Sequence, residues 1–83
     1  MQEFMRKFKQ LNGIRAKVLL KHYLFDEQEF LCDKLQTIDD EKIGVFLKGQ
    51  SIYMYKQNVK VAEVQGDTYK ISDGRLTIIV KKL

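Results

Sequence analysis

Proline and tryptophan are absent from this 83-residue chain, and cysteine and histidine occur once each, as Cys32 and His22. A lone cysteine closes no internal disulfide and supplies no metal-ligand spacing, so disulfide scaffolds and zinc fingers are excluded. With no proline, no extended stretch is barred from the middle of a sheet. No apolar run reaches the roughly 18 residues that a membrane helix needs. The first residues lack the basic-then-apolar order of an export signal, and the expectation is a cytoplasmic protein. The signatures GxGxxG, GKS or GKT, and GxSxG are all missing, which leaves nucleotide-binding and hydrolase classes without support. What remains is 45% hydrophobic and 31% charged, enough to build a modest core in a single domain, residues 1–83.

Charge is distributed in blocks. Residues 1–21 carry six basic side chains and one acidic one, residues 22–41 carry Lys34 against seven carboxylates, and residues 42–83 carry eight basic and three acidic side chains. A fold that brings the two basic blocks together would present one face attractive to a polyanion, with the acidic block elsewhere; a mixed, solvated surface is the plain alternative.

Met1, Phe4, Met5, Phe8 and Leu11 recur at three-and-four spacing, with charged and amide residues between them, which predicts an amphipathic helix over residues 1–12. Asn12-Gly13 supplies the stop, and so short a helix needs a surface to lie on. From Ile14 the period becomes two. Strands are predicted over residues 14–21, 30–38, 42–48, 51–55, 59–64, 68–71 and 76–80, separated by turns at Asp26-Glu27-Gln28, Asp39-Asp40-Glu41, Gly49-Gln50, Gln65-Gly66-Asp67 and Asp73-Gly74. Short strands behind a single helix, with no second helix to make a crossover, predict a mainly β protein. The expected form is a small, strongly bent antiparallel barrel over residues 14–64 with an extra C-terminal hairpin over 68–83.

Catalytic chemistry finds few components. His22 and Cys32 are the only members of a possible nucleophile pair, and no third group is in view to orient them; Cys32 reads as a small core hydrophobe. Asp39-Asp40-Glu41 lacks the alternating ligands and central glycine of a calcium loop. The expectation is a non-enzyme with no cofactor and no metal.

The stretch Gln50-Ser51-Ile52-Tyr53-Met54-Tyr55-Lys56-Gln57-Asn58-Val59-Lys60-Val61-Ala62-Glu63-Val64 sets a tyrosine-lysine turn between two apolar-alternating segments. Together with the order helix, strand, long bent strands, turn and strand, it resembles the Sm-like family, and within it the bacterial RNA chaperone Hfq. Tyr55-Lys56-Gln57 matches two of three positions of that family's tyrosine-lysine-histidine turn, and Val59, Val61 and Val64 follow its next strand. Leu31 to Asp39 echo the first motif, with Leu35, Ile38 and Asp39 where the family places apolar residues and an aspartate before a turn. Gln57 replaces the histidine, Asp33 stands where a glycine usually bends the strand, and the loop between the first two strands is longer. The resemblance covers Phe4 to Val64.

It implies a homo-oligomeric ring, the fourth strand of one subunit pairing with the fifth of the next, that binds single-stranded RNA. Tyr55 would stack a base, Lys56 would hold a phosphate, Gln57 would hydrogen-bond a base or sugar, and Arg15, Lys17 and Lys60 would add phosphate contacts. A protein-interaction or structural barrel without RNA, phage or prophage derived, is the alternative.

Overall fold

A computed structural model describes residues 2–83. The amphipathic stripe forms helix α1 (Gln2–Lys9), with Glu3 in its first turn and Arg6, Lys7 and Lys9 in its last, the charge order that suits the helix dipole. Met1, assigned to the same stripe, lies outside the described residues. The helix ends three residues before the predicted stop, and residues 10–13 continue as turns. Asn12 fixes that end: its Oδ1 accepts the Thr37 backbone N–H at 3.0 Å and the Thr37 hydroxyl at 3.4 Å. Phe4, Phe8 and Leu11 are buried beneath the helix.

Eight strands follow: β1 (Ala16–His22), β2 (Phe25–Cys32), β3 (Gln36–Asp39), β4 (Lys42–Leu47), β5 (Gln50–Tyr55), β6 (Val61–Gln65), β7 (Thr68–Ser72) and β8 (Leu76–Lys82), with one 3₁₀ turn (Lys56–Asn58) between β5 and β6. All pairings are antiparallel. One sheet has the order β2-β1-β8-β7-β6 and the other β3-β4-β5. Helix α1 contacts β3 of one sheet and β6 of the other.

The mainly β prediction holds, while the ladders stop short of a closed barrel: β2 and β6 end the larger sheet, β3 and β5 the smaller. The physical reason lies at Asp33–Leu35. The strand expected over 30–38 breaks there because Leu35 buries its side chain and its backbone turns aside to bond residues 13 and 14, through Gly13 N–H to Leu35 O at 2.6 Å and Leu35 N–H to Ile14 O at 2.8 Å. The two halves of the expected strand therefore serve different sheets.

One further expectation is corrected. Asp26-Glu27-Gln28, read as a turn, lies inside β2, and the turn is Tyr23-Leu24. The carboxylates of β2 are tolerated in a strand because they are exposed to water, and two of them meet lysines of β1, Lys17–Glu29 on the diagonal at 3.4 Å and Lys21–Glu27 at 3.9 Å. The C-terminal hairpin forms as β7 and β8, and it is built into the larger sheet: β8 lies between β1 and β7, pairing Ala16 with Lys82 and His22 with Leu76. Its Ile78 and Val80 join Val18, Ile43, Val45 and Ile71 in the core.

Candidate nucleic-acid interface

Alternation along β5 buries Met54 and turns Ser51, Tyr53 and Tyr55 outward. The two tyrosines are 37% and 43% exposed and meet edge to face, with ring centroids 5.8 Å apart. On the neighbouring strand the same face carries Lys42, Gly44 and Phe46, paired in register with Tyr55, Tyr53 and Ser51. The Lys42 ammonium lies 4.9 Å from the Tyr53 ring centroid, within cation–π range. The outer face of the β4–β5 hairpin is thus an aromatic platform with a cation at one end. Gly44 makes it possible, because β4 and β5 run so close there that a Cβ would strike the Ile52 carbonyl and come within 2.6 Å of Tyr53 Cα.

The 3₁₀ turn continues from Tyr55 and carries two of the residues singled out by sequence, Lys56 and Gln57, with Lys60 just beyond. Lys56 and Lys60 share one depression with Val59 and Ala62. Gln57 and Lys60 share another with Asn58, Val59, Asp73 and Arg75. Arg15 and Lys17 line neither of these depressions. They stand beside β2, Arg15 Nε 3.9 Å from Asp33 and Lys17 Nζ 3.4 Å from Glu29.

Lys56 is not a free cation. Its ammonium lies 2.7 Å from Asp39 Oδ1, in an ion pair whose side chains are only 33% and 15% exposed. Its backbone N–H also donates to Glu41 O at 3.0 Å, so the turn is tied to the acidic β3–β4 loop at two points. The rest of that loop is likewise occupied, Asp40 Oδ1 accepting the Lys42 N–H at 2.7 Å. The aspartate that the sequence placed only before a turn is therefore the counter-ion of the turn lysine.

Sequence reading passed over Lys42, Tyr53 as half of a platform, and Arg75. Period two does put Tyr53 and Tyr55 on one face, and that much was legible. Arg75 is brought to the 3₁₀ turn by pairing distant in sequence, for which no local signal exists.

The Asp73-Gly74-Arg75 turn is built by its first residue. Asp73 Oδ1 accepts the backbone N–H groups of Arg75 and Leu76, each at 2.8 Å. Burial alone would raise the Asp73 pKa, but the backbone N–H groups of Leu76, Arg75 and Asp73 itself, with the Arg75 charge, outweigh it and hold the carboxyl below its ordinary range. The folded group therefore binds its proton less tightly than the unfolded one. Its ionisation stabilises the fold above about pH 4, and that contribution is lost as pH falls through the depressed folded value. Thermal midpoints measured from about pH 5 down to pH 2 should fall less steeply in Asp73→Asn than in the parent chain. Parallel curves would remove Asp73 from the acid response.

His22 and Cys32 are not assembled into a reactive pair. They sit at opposite ends of the β1–β2 ladder, where Cys32 faces Ala16 and His22 faces Phe25, so roughly 20 Å of strand separates them. Burial, with the neighbouring Asp33 charge, also raises the Cys32 thiol pKa, which keeps the thiolate scarce near neutral pH.

A second surface stands out. Tyr23, Leu24 and Phe25, at the tip of the β1–β2 hairpin, are 62%, 64% and 70% exposed. Beside them a groove of about 310 Å³, lined by Leu20, Phe25, Ile52, Tyr53 and Leu76 among others, opens between the two sheets. No described helix is long and apolar enough to cross a membrane. No protein-family model, curated protein or solved structure matches the chain.

Proposed function

We propose that the protein binds single-stranded RNA on the outer face of the β4–β5 hairpin, as a homo-oligomeric relative of the Sm-like family acting without catalysis. The observation that carries this reading is the exposed Tyr53–Tyr55 pair with Lys42 over one ring, next to a turn bearing Lys56, Gln57 and Lys60. Unstacked bases offer flat faces to such rings whatever their sequence, while lysines hold phosphates. Kinship with the family draws support from the position of β5 and β6, the two strands whose edges would meet between neighbours in a ring, since each lies at a sheet edge. In that reading the two sheets, joined through residues 33–35, are the halves of a strongly bent, partly open barrel. The Lys56–Asp39 pair changes the weight of each residue: Tyr55 leads, and Lys56 reaches a phosphate only by sharing its charge with Asp39.

Anisotropy titrations with labelled uridine-rich and adenine-rich oligonucleotides at low ionic strength test the reading. Tyr55→Ala should cost about 1–3 kcal/mol for each base stacked, with little change in salt dependence. Lys56→Ala should weaken all sequences alike, and Asp39→Asn should tighten them by releasing the lysine. Elution at an oligomeric volume with a raised ratio of absorbance at 260 to 280 nm is the expected state of the purified protein. Absence of salt-dependent binding would sink the RNA reading.

The exposed Tyr23-Leu24-Phe25 tip beside an apolar groove favours a second reading, a protein-interaction module. A clean monomer that binds no oligonucleotide is its expected outcome.

A further inference from the structure

The cleft between the 3₁₀ turn and the β7–β8 turn has a volume of about 410 Å³ and is lined by Gln57, Asn58, Val59, Lys60, Asp73 and Arg75. Its two cations come from different parts of the chain, and neither belongs to an ion pair among the described residues. The one carboxylate in the lining, Asp73, directs Oδ1 at the backbone of its own turn.

The Arg75 side chain is held in place, and Lys60 is anchored at its backbone. Arg75 Nη2 donates to the Tyr23 hydroxyl at 3.3 Å, the guanidinium lies 5.7 Å from the Tyr23 ring centroid, and the Tyr23 N–H returns a bond to Arg75 O at 3.3 Å. This uses one arm of the fork and leaves other N–H donors available. Lys60 is anchored by its N–H to Ser72 O at 2.8 Å, and its stem runs along Gly74, where a Cβ would come within 3.3 Å of Nζ and 3.5 Å of Cδ. Glycine at this position, with φ +93°, serves the turn and leaves room for the ammonium. Facing them, Gln57 and Asn58 present exposed carboxamides, each able to donate and accept.

We propose that this cleft is a phosphodiester subsite: Lys60 and Arg75 hold one backbone phosphate of single-stranded RNA, and the carboxamides of Gln57 and Asn58 address the adjoining nucleoside. The proposal rests on the single-strand reading and extends it to the C-terminal hairpin. The 3₁₀ turn that follows Tyr55 carries Gln57 and Asn58 of the cleft lining, so a strand leaving a base stacked on Tyr55 has the cleft within reach. A planar guanidinium beside an ammonium suits the several oxygens of a phosphate, and paired carboxamides suit the mixed donors and acceptors of a nucleoside better than an acidic side chain. Tyr23 is a positioning residue here, acting through Arg75.

The test has two arms. In the first, a labelled uridine oligonucleotide is titrated into the parent chain, Arg75→Gln, Lys60→Gln and Tyr23→Phe, with thermal midpoints measured alongside. Arg75→Gln and Lys60→Gln should each weaken binding about tenfold and each flatten the slope of log K against log salt by about 0.7. Tyr23→Phe should weaken binding less and leave that slope unchanged, a pattern that general loss of stability would not give. Unaltered affinity and slope in both glutamine variants, with the parent chain binding RNA, overturns the subsite and leaves the platform reading intact.

In the second arm, uridine monophosphate and inorganic phosphate are titrated separately while backbone amide resonances are followed. Shifts confined to residues 57–60 and 73–75, larger with the nucleotide than with phosphate, support the subsite even where the oligonucleotide fails to bind. Equal shifts with both overturn the nucleoside contact, and no shift with either overturns the subsite.

Discussion

Phe8→Ala should lower the free energy of unfolding by about 3–5 kcal/mol, among the largest losses expected of a single truncation. Phe8 is fully buried and stacks on Phe4 with centroids 5.7 Å apart, and Phe4 in turn meets Tyr69 edge on at 6.2 Å. An eight-residue helix is marginal on its own in water, so the helix is held by these side chains together with Met5 and Leu11, which also pack on the core. Because α1 touches β3 of one sheet and β6 of the other, its loss uncovers both. Small domains have total stabilities of about 5–15 kcal/mol, so the variant should stand near the edge of folding. Urea titration followed by far-ultraviolet circular dichroism measures the change. A loss under about 1 kcal/mol, well below the usual cost of emptying a buried aromatic site, would show the helix to be a dispensable cover.

The second large effect is expected at Gly44, whose substitution by alanine should cost about 3 kcal/mol, the upper part of the overpacking range. A Cβ there meets backbone on the facing strand, the Ile52 carbonyl and Tyr53 Cα, and backbone in a hydrogen-bonded ladder cannot step aside as a flexible side-chain end would. The damage should be local in kind as well as large. Forcing β4 from β5 displaces Tyr53 and then Tyr55, so oligonucleotide binding should fall by more than the stability loss explains. Amide resonances of residues 51–55, compared between parent and Gly44→Ala, report the displacement directly. Unchanged resonances and a thermal midpoint within a degree or two of the parent would mean that the two strands separate at little cost.

Much of the architecture was legible in the chain because it is written in local periodicity. The three-and-four spacing from Phe4 to Leu11 and the alternation from Ala16 to Leu20 each report a buried face. What stayed hidden depends on partners distant in sequence. Asp26-Glu27-Gln28 looks like a turn until the ladder to β1 is in view, with Lys21 beside Glu27. Leu35 looks like one more strand residue, and only its bond to Ile14 shows that the chain breaks there.

The candidate site divides in the same way. Tyr55, Lys56, Gln57 and Lys60 follow one another closely enough for a motif to mark them. The neutralising Asp39 and the second cation Arg75 arrive through tertiary pairing. Arg15 and Lys17 offer only charge to a motif, and the structure gives that charge acidic neighbours, Asp33 just past the end of β2 and Glu29 within it.

The place of β8 between β1 and β7 has a consequence for the order of events during synthesis. His22 finds its partner Leu76 only after the whole intervening chain has left the ribosome, an interval of seconds at ordinary elongation rates. Until then β1 has β2 on one side and nothing on the other, with the aromatic hairpin tip already formed. Contacts of such long sequence separation also slow the final collapse, because loop closure must precede any reward from pairing. The nascent protein therefore passes through a stage in which an apolar strand edge is open to any other chain nearby, until β8, made long after β1, closes it.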